Sequence, residues 1–226
     1  FLDKNKKIVH LVSERKIFND DSKHVIQCNI DTCISEFEKV KSQFDISWLQ
    51  SIIEDEIKIK DFFNIFFKTP RHHEGYFIYK IISHLPNKSN LMVGNSSPIR
   101  DLDKFTFNSS KNINIFSNRG ASGIDGLIST SIGMSINNKK NNFLILGDVS
   151  FFYDVSSLIN QQNIPINLTI FILNNNGGHI FDRLEGISNE KEYHKNWLMP
   201  INLKIKKIAS SFNCLYTRID IFDYKN

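Results

Sequence analysis

Gly147 to Phe181 reads GDVSFFYDVSSLINQQNIPINLTIFILNNNGGHIF. An apolar run, Phe143-Leu144-Ile145-Leu146, leads into it, and a second, Leu168 to Leu173, lies within it. Short apolar runs bounded by turn residues predict buried strands. Between the two, Phe152, Val155, Leu158 and Ile159 fall at helical spacing. The pattern is strand, acidic turn, helix, strand, amide-rich turn. In a parallel sheet both turns lie at the carboxyl ends of strands, where open α/β sheets bind ligands. Asp148 and Asn175, distant in sequence, are therefore expected side by side. An Asp carboxylate, an Asn amide oxygen and a backbone carbonyl freed by Gly177 are hard oxygen ligands. Such a set suits Mg²⁺ or Ca²⁺, and Mg²⁺ usually completes its shell with phosphate oxygens. A helix starting near Val149 would aim its N-terminus at the same place, which favours a diphosphate. The bland alternative is a turn Asp and a low-complexity Asn run; placement after two apolar strands weighs against it.

Composition narrows the function classes. The 226 residues are 41% hydrophobic, enough for a sizeable core, with a formal charge of only +4. Lysines are scattered rather than massed, so nucleic-acid binding is not indicated. Cys28, Cys33 and Cys214 form no CxxC pair and no zinc spacing, which fits a reducing compartment. No apolar run approaches the ~20 residues of a membrane span, and no stretch reads as a signal peptide. The chain opens on Phe1 and is expected to be a piece of something longer.

Working outward, the pattern becomes doubly wound from Glu74. Tyr76 to Leu85 reads as a helix stopped by Pro86, and Leu91-Met92-Val93 as a strand ending in Gly94-Asn95-Ser96-Ser97-Pro98. A short helix holding Arg100 follows. Ile113 to Phe116 is the next strand, ending in Ser117 to Gly126, before a helix over Leu127 to Ile136. A helix over Leu203 to Phe212 and a strand over Leu215 to Ile219 close the chain. Alternating strands and helices predict an α/β fold with a doubly wound parallel sheet. Earlier, Ile8 to Val12 and Val25 to Ile30 read as strands, with a helix over Ile34 to Val40 capped by Asp31 or Thr32, its Glu36 and Glu38 near the positive end. Trp48, Ile52, Ile53 and Ile57 recur at helical spacing, and the phenylalanines from Phe62 to Phe67 follow. The expected organisation is 1–45 as the C-terminal remnant of a central α/β domain, 46–75 as a linker, and 76–226 as the main domain, truncated at its C-terminus. His72 and His73 read as a solvated turn.

Other motifs carry weaker signals. Ser122-Gly-Ile-Asp125 fits a capping box, while Gly120, Gly123 and Gly126 would let a backbone approach a ligand closely. Arg100 and Arg119 follow strand ends at the same sheet edge, where two arginines would suit a dianionic substrate; taken singly, such an arginine is more often a surface ion pair. Ser96 could cap the short helix or touch ligand. His179 could do acid–base work or be a solvated loop residue.

Gly147-Asp148 followed by Asn174-Asn175 resembles the signature of thiamine-diphosphate (ThDP) enzymes. The run Ser117-Asn118-Arg119-Gly120-Ala121-Ser122-Gly123-Ile124-Asp125-Gly126, with Tyr153-Asp154, Asn174-Asn175-Asn176-Gly177-Gly178 and Ile180-Phe181, is similar to the C-terminal half of the SEPHCHC synthases. Those are the ThDP enzymes of menaquinone and phylloquinone synthesis. Gly94-Asn95-Ser96 with Arg100 and Leu198-Met199-Pro200 fit them too, and the resemblance runs from about Tyr76 to Pro200. Val149 after Gly147-Asp148 departs from the Gly-Asp-Gly usual in other ThDP enzymes. The resemblance implies a ThDP diphosphate-binding domain. It puts Asp148, Asn175 and the Gly177 carbonyl on Mg²⁺, or Mn²⁺ in its place, and Gly147, Val149 and Ser150 along the diphosphate. Asn95, Ser122, Gly123 and Ile124 would meet the cofactor, with Ile124 wedged beneath it. Ser96, Arg100, Arg119, Ile180 and Phe181 would face 2-oxoglutarate and isochorismate. The implied reaction decarboxylates the first substrate and adds the remainder to the second.

The same resemblance implies an activating glutamate in a domain for which this chain has no room, so no catalytic residue is assigned here and the chain alone is expected to be inactive. Its expected partners are a second copy, as a dimer or tetramer, or the missing N-terminal part. The expected compartment is the bacterial cytoplasm or the plastid stroma. Two other readings stay open: a non-catalytic module that binds ThDP–Mg²⁺ or a partner chain, and a different ThDP-dependent lyase.

Overall fold

The structure is a computed structural model that describes residues 9–12, 24–27, 29–39, 46–71, 73–106, 111–118, 120–136, 138–184, 186, 192–202 and 204–220. The chain divides into two compact units, Phe1–Glu56 and Ile57–Asn226.

In the first unit, β1 (Val9–Val12) pairs in parallel with β2 (His24–Gln27), Val9 opposite His24 and Val12 opposite Gln27. The helix α1 (Ile30–Phe37) begins four residues before the expected Ile34. Asn29, not Asp31 or Thr32, caps it: the Asn29 side chain accepts from the Asp31 amide at 3.0 Å. Glu36 and Glu38 consequently stand at the helix's C-terminal end, the opposite of the expectation, and Glu36 is offset there by Lys39 at 2.5 Å. Cys28 lies outside the described residues.

The predicted helix after residue 46 forms as α2 (Ser47–Phe66), and the division between the units falls within it. None of its residues is buried. In the second unit, Phe63 and Phe66 at its end join buried Phe67 and Tyr76, with Phe105 edge-on to Phe63 at 5.3 Å.

The second unit is built on a parallel sheet in the order β4-β3-β5-β6: β3 (Asn90–Val93), β4 (Asn114–Phe116), β5 (Asn142–Gly147) and β6 (Leu168–Leu173). Its strands follow the predicted runs closely. Alternation along the two central strands explains the two layers. Leu91, Val93 and Ile145 point one way, onto Ile78, Ile82 and Leu85 of α3 (Glu74–His84) and its end, and Leu102 of α4 (Ser97–Phe105). Met92, Leu144 and Leu146 point the other way, onto Leu127, Ile128 and Ile132 of α5 (Leu127–Ser135) and Phe151 of α6 (Asp148–Tyr153). Each fully buried aliphatic side chain contributes about 1.5–3 kcal/mol, so both faces must be covered. α7 (Ile205–Ser211) adds Ile205 and Ile208 to the second cluster.

Four local expectations give way. The helix read through Phe152 to Ile159 breaks at Asp154 into α6 and a 3₁₀ segment, Val155–Gln162. The Asp154 carboxylate is drawn to α5, accepting from the Ser129 amide at 2.8 Å. The expected capping box does not sit at the helix start: α5 begins only at Leu127, behind Gly126 in the left-handed region (φ 67°). His73 is no mere solvated turn: its Nδ1 accepts from the Gly75 amide at 2.9 Å and caps α3, while His72 lies outside the described residues. Leu215 to Ile219 do not form a strand; they are exposed and pair with no sheet edge, and Leu215 is wholly exposed.

Candidate active site

The register of β5 on β6 sets the site. Gly147 lies opposite Leu173, so both strands end together and deliver Asp148 and Asn175 to one edge. A cavity of about 380 Å³ opens there, floored by Gly147, Asp148, Val149 and Ser150 and walled by Asn175, Gly177 and Ile124.

Asp148 is buried, 2% exposed. Its Oδ1 accepts from the Val149 amide at 2.8 Å and its Oδ2 from the Gly177 amide at 2.9 Å. Burial raises its pKa above the ordinary 3.8, while the amides of Val149, Gly177 and Asn176 oppose that shift. A carboxylate held this way lacks a full counter-charge, which a cation would provide.

Asn175 faces two ways. Its Nδ2 donates to Glu74 Oε1 at 2.5 Å. Its Oδ1 is buried and accepts from none of the described residues. Leaving such an acceptor unsatisfied costs about 1–3 kcal/mol, so the atom is poised for a ligand. Gly177 follows with φ 139°, where a Cβ would sit 2.3 Å from the Leu198 carbonyl oxygen; only glycine fits. Gly178 N–H donates to the same oxygen at 2.6 Å, fastening the turn to Leu198. The Gly177 carbonyl accepts from the His179 amide at 3.0 Å and keeps a second lone pair.

Among the described residues no three His, Cys, Asp or Glu side chains cluster to hold a metal ion. The oxygen set of Asp148, the orphaned Asn175 Oδ1 and the Gly177 carbonyl fits a hard divalent cation. Gly147 adds room: a Cβ there would meet nothing within 4 Å, so the floor beside Asp148 stays open to a bulky group. The residues present thus fit a cation with a phosphate-bearing partner.

The other predicted residues divide into three sets. Ser96, Ile180 and Phe181 line the same cavity, Phe181 packed edge-on to Trp197 at 5.2 Å. Ser96 heads α4 without a side-chain cap bond, at φ 72° and ψ −135°, a conformation costly for serine and typical of functional sites. Asn95, Ser122 and Gly123 are not among the lining residues. Asn95 is buried, and its Nδ2 donates to the carbonyls of Asn118 (2.9 Å) and Gly123 (2.6 Å), tying the end of β3 to the loop that carries Ile124. Arg100 lies outside the cavity: its Nη1 donates to the Ser96 carbonyl at 2.7 Å, and its side chain lines a separate hollow with Asp103 and Ile115. Arg119 lies outside the described residues.

Two pairings escaped the sequence reading, one of them at His179, itself offered there for acid–base work. Glu74 reaches Asn175 from a distant helix start, a pairing with no sequence signal. His179, on the cavity wall, is held through Nδ1 by Asp182 Oδ2 at 2.7 Å, and the Tyr193 hydroxyl donates to the other Asp182 oxygen. Tyr193 first, then His179, holds the Asp182 carboxyl below the usual range, and the Asp182 carboxylate pushes Tyr193 up to about 12.

No protein-family model matches the chain. Over 93% of its length it is 32% identical to the 2-succinyl-5-enolpyruvyl-6-hydroxy-3-cyclohexene-1-carboxylate (SEPHCHC) synthase of Lysinibacillus sphaericus, covering 37% of that protein. It is 39% identical over 67% of its length to the synthase of the same name from Christiangramia forsetii, covering 27% of it. The match to the Oceanobacillus iheyensis synthase is 36% over 65% of the chain and 25% of that protein. The chain thus spans well under half the length of these curated relatives. Among solved structures, benzoylformate decarboxylase from Polynucleobacter necessarius shares the fold over 67% of this chain and 29% of its own, with a TM-score of 0.52 and 16% identity.

Proposed function

We propose that this chain, a homologue of the SEPHCHC synthases, is the part of such an enzyme that holds thiamine diphosphate through a divalent cation. One observation carries the reading: the aligned ends of β5 and β6 bring buried Asp148, Asn175 with an Oδ1 that has no partner among the described residues, and Gly177 to one cavity. Asp148, Asn175 Oδ1 and the Gly177 carbonyl hold Mg²⁺, or Mn²⁺ in its place. Gly147, Val149 and Ser150 receive the diphosphate, and Ile124 supports the rest of the cofactor from the wall. Asn95, through the carbonyls of Asn118 and Gly123, keeps the loop with Ser122, Gly123 and Ile124 in register with the site. When bound, the cofactor supplies the electron sink for decarboxylating a 2-oxo acid.

The substrates are 2-oxoglutarate and isochorismate, both dicarboxylates, and the products are SEPHCHC and CO₂. Ser96, Ile180 and Phe181 contact them from the cavity; Arg119 meets a carboxylate, and so does Arg100 once its side chain leaves the Ser96 carbonyl and the separate hollow it lines here. Phe181, Trp197 and Leu198 limit water at the reacting end. The rest of the protein, from the same polypeptide or a second copy, supplies the activating glutamate and the pyrimidine pocket.

Calorimetric titration of ThDP into the full-length protein with Mg²⁺ tests the reading. Asp148→Ala removes the one formal charge among the ligands and should weaken cofactor binding by well over about tenfold. Unchanged affinity would overturn the assignment.

A further inference from the structure

We infer that Glu74 is a positioning residue for the cation site: its carboxylate fixes the Asn175 amide so that Oδ1, and not Nδ2, faces the cation. The inference rests on the proposed function above. A carboxylate only accepts hydrogen bonds, whereas an amide has a donating and an accepting end. Glu74 Oε1 takes the Nδ2 of Asn175 at 2.5 Å. The opposite amide orientation would press two oxygens together and aim an NH₂ group at the cation. The contact therefore selects the orientation in which Oδ1, on a residue that lines the cavity, lies buried with no partner among the described residues.

Glu74 suits that task because it stands on a rigid support. It is the first residue of α3, whose start is capped by His73 and whose Tyr76, Ile78 and Ile82 are buried. Within the turn, Asn174 Oδ1 is turned to the Asn176 amide at 3.2 Å. Two other roles compete. Glu74 could act through its negative charge at the cavity wall, or only as an acidic residue in the first turn of α3.

The test is Mn²⁺ binding to the full chain in the presence of ThDP, read by the loss of the free-ion electron paramagnetic resonance signal, with melting curves alongside. Glu74→Ala should weaken Mn²⁺ about 10–100-fold, while Glu74→Gln, which keeps an acceptor oxygen for Nδ2, should stay within about threefold of wild type. In an Asn175→Ala background, Glu74→Ala should add no further loss. A residue that merely starts a helix would lower the melting temperature in both variants and leave Mn²⁺ affinity alone. That result overturns the inference, as does a Gln variant as weak as the Ala variant, or an undiminished loss in the double variant. If wild type fails to take up Mn²⁺, or Asp148→Ala takes it up equally well, the proposed function fails first and this inference with it. Normal Mn²⁺ uptake that Asp148→Ala abolishes and Glu74→Ala leaves intact removes the inference alone.

Discussion

Gly177 donates its amide to Asp148, lines the cavity and passes under the Leu198 carbonyl, all at φ 139°. Gly177→Ala should therefore destabilise the fold by on the order of 1–3 kcal/mol, read by urea denaturation, as well as weaken cofactor binding. A second residue-scale prediction concerns pH. The folded pKa of Asp182 lies below its ordinary 3.8, chiefly through Tyr193. The stability it contributes is present above the unfolded value and is lost as pH falls through the folded one. Tyr193→Phe should raise the Asp182 pKa, measured from its carboxyl carbon shift, and move that loss to higher pH. Such pairings mark the limit of what single residues disclose. Asp148 and Asn175 were legible because strand ends announce themselves. Glu74, Asp182 and Tyr193 were not, because a carboxylate carries no sign of the amide or hydroxyl that folding will bring to it.

The strands of the main sheet, and the helices between them, were legible because each is a short apolar run or a helical period closed by Gly, Pro, Asn or Asp. The misreadings have one kind of cause. A 3₁₀ segment keeps nearly the spacing of an α-helix, so the break at Asp154 left no trace in the pattern. The start of α5 likewise depends on a partner outside the segment, the Asp154 carboxylate on the Ser129 amide. Asp154→Ala should cost about 0.5–2 kcal/mol by urea denaturation, and Asp154→Asn, which keeps an acceptor, should cost less. Leu215 to Ile219, expected as a strand, has no sheet edge beside it among the described residues, and without one no ladder forms.

For the molecule as a whole, the parallel sheet with both faces covered and the cavity at its carboxyl edge follow from the same alternation that was read first. The proposed choice of substrates rests on the resemblance to the SEPHCHC synthases, and the two arginines test it. In the full-length protein, Arg100→Lys and Arg119→Lys should each lower kcat/KM by at least about tenfold for one of the two dicarboxylates, since lysine keeps the charge but loses the fork. ThDP affinity should hardly move; normal kinetics in both variants would make the arginines surface or structural residues. The central claim is the cation site, and a crystal grown with Mn²⁺ and ThDP tests it most directly through the anomalous difference map. The account predicts one peak at roughly 2.0–2.4 Å from an Asp148 carboxylate oxygen, Asn175 Oδ1 and the Gly177 carbonyl oxygen. A bound cofactor with no peak there, or a peak held by other residues, would contradict it.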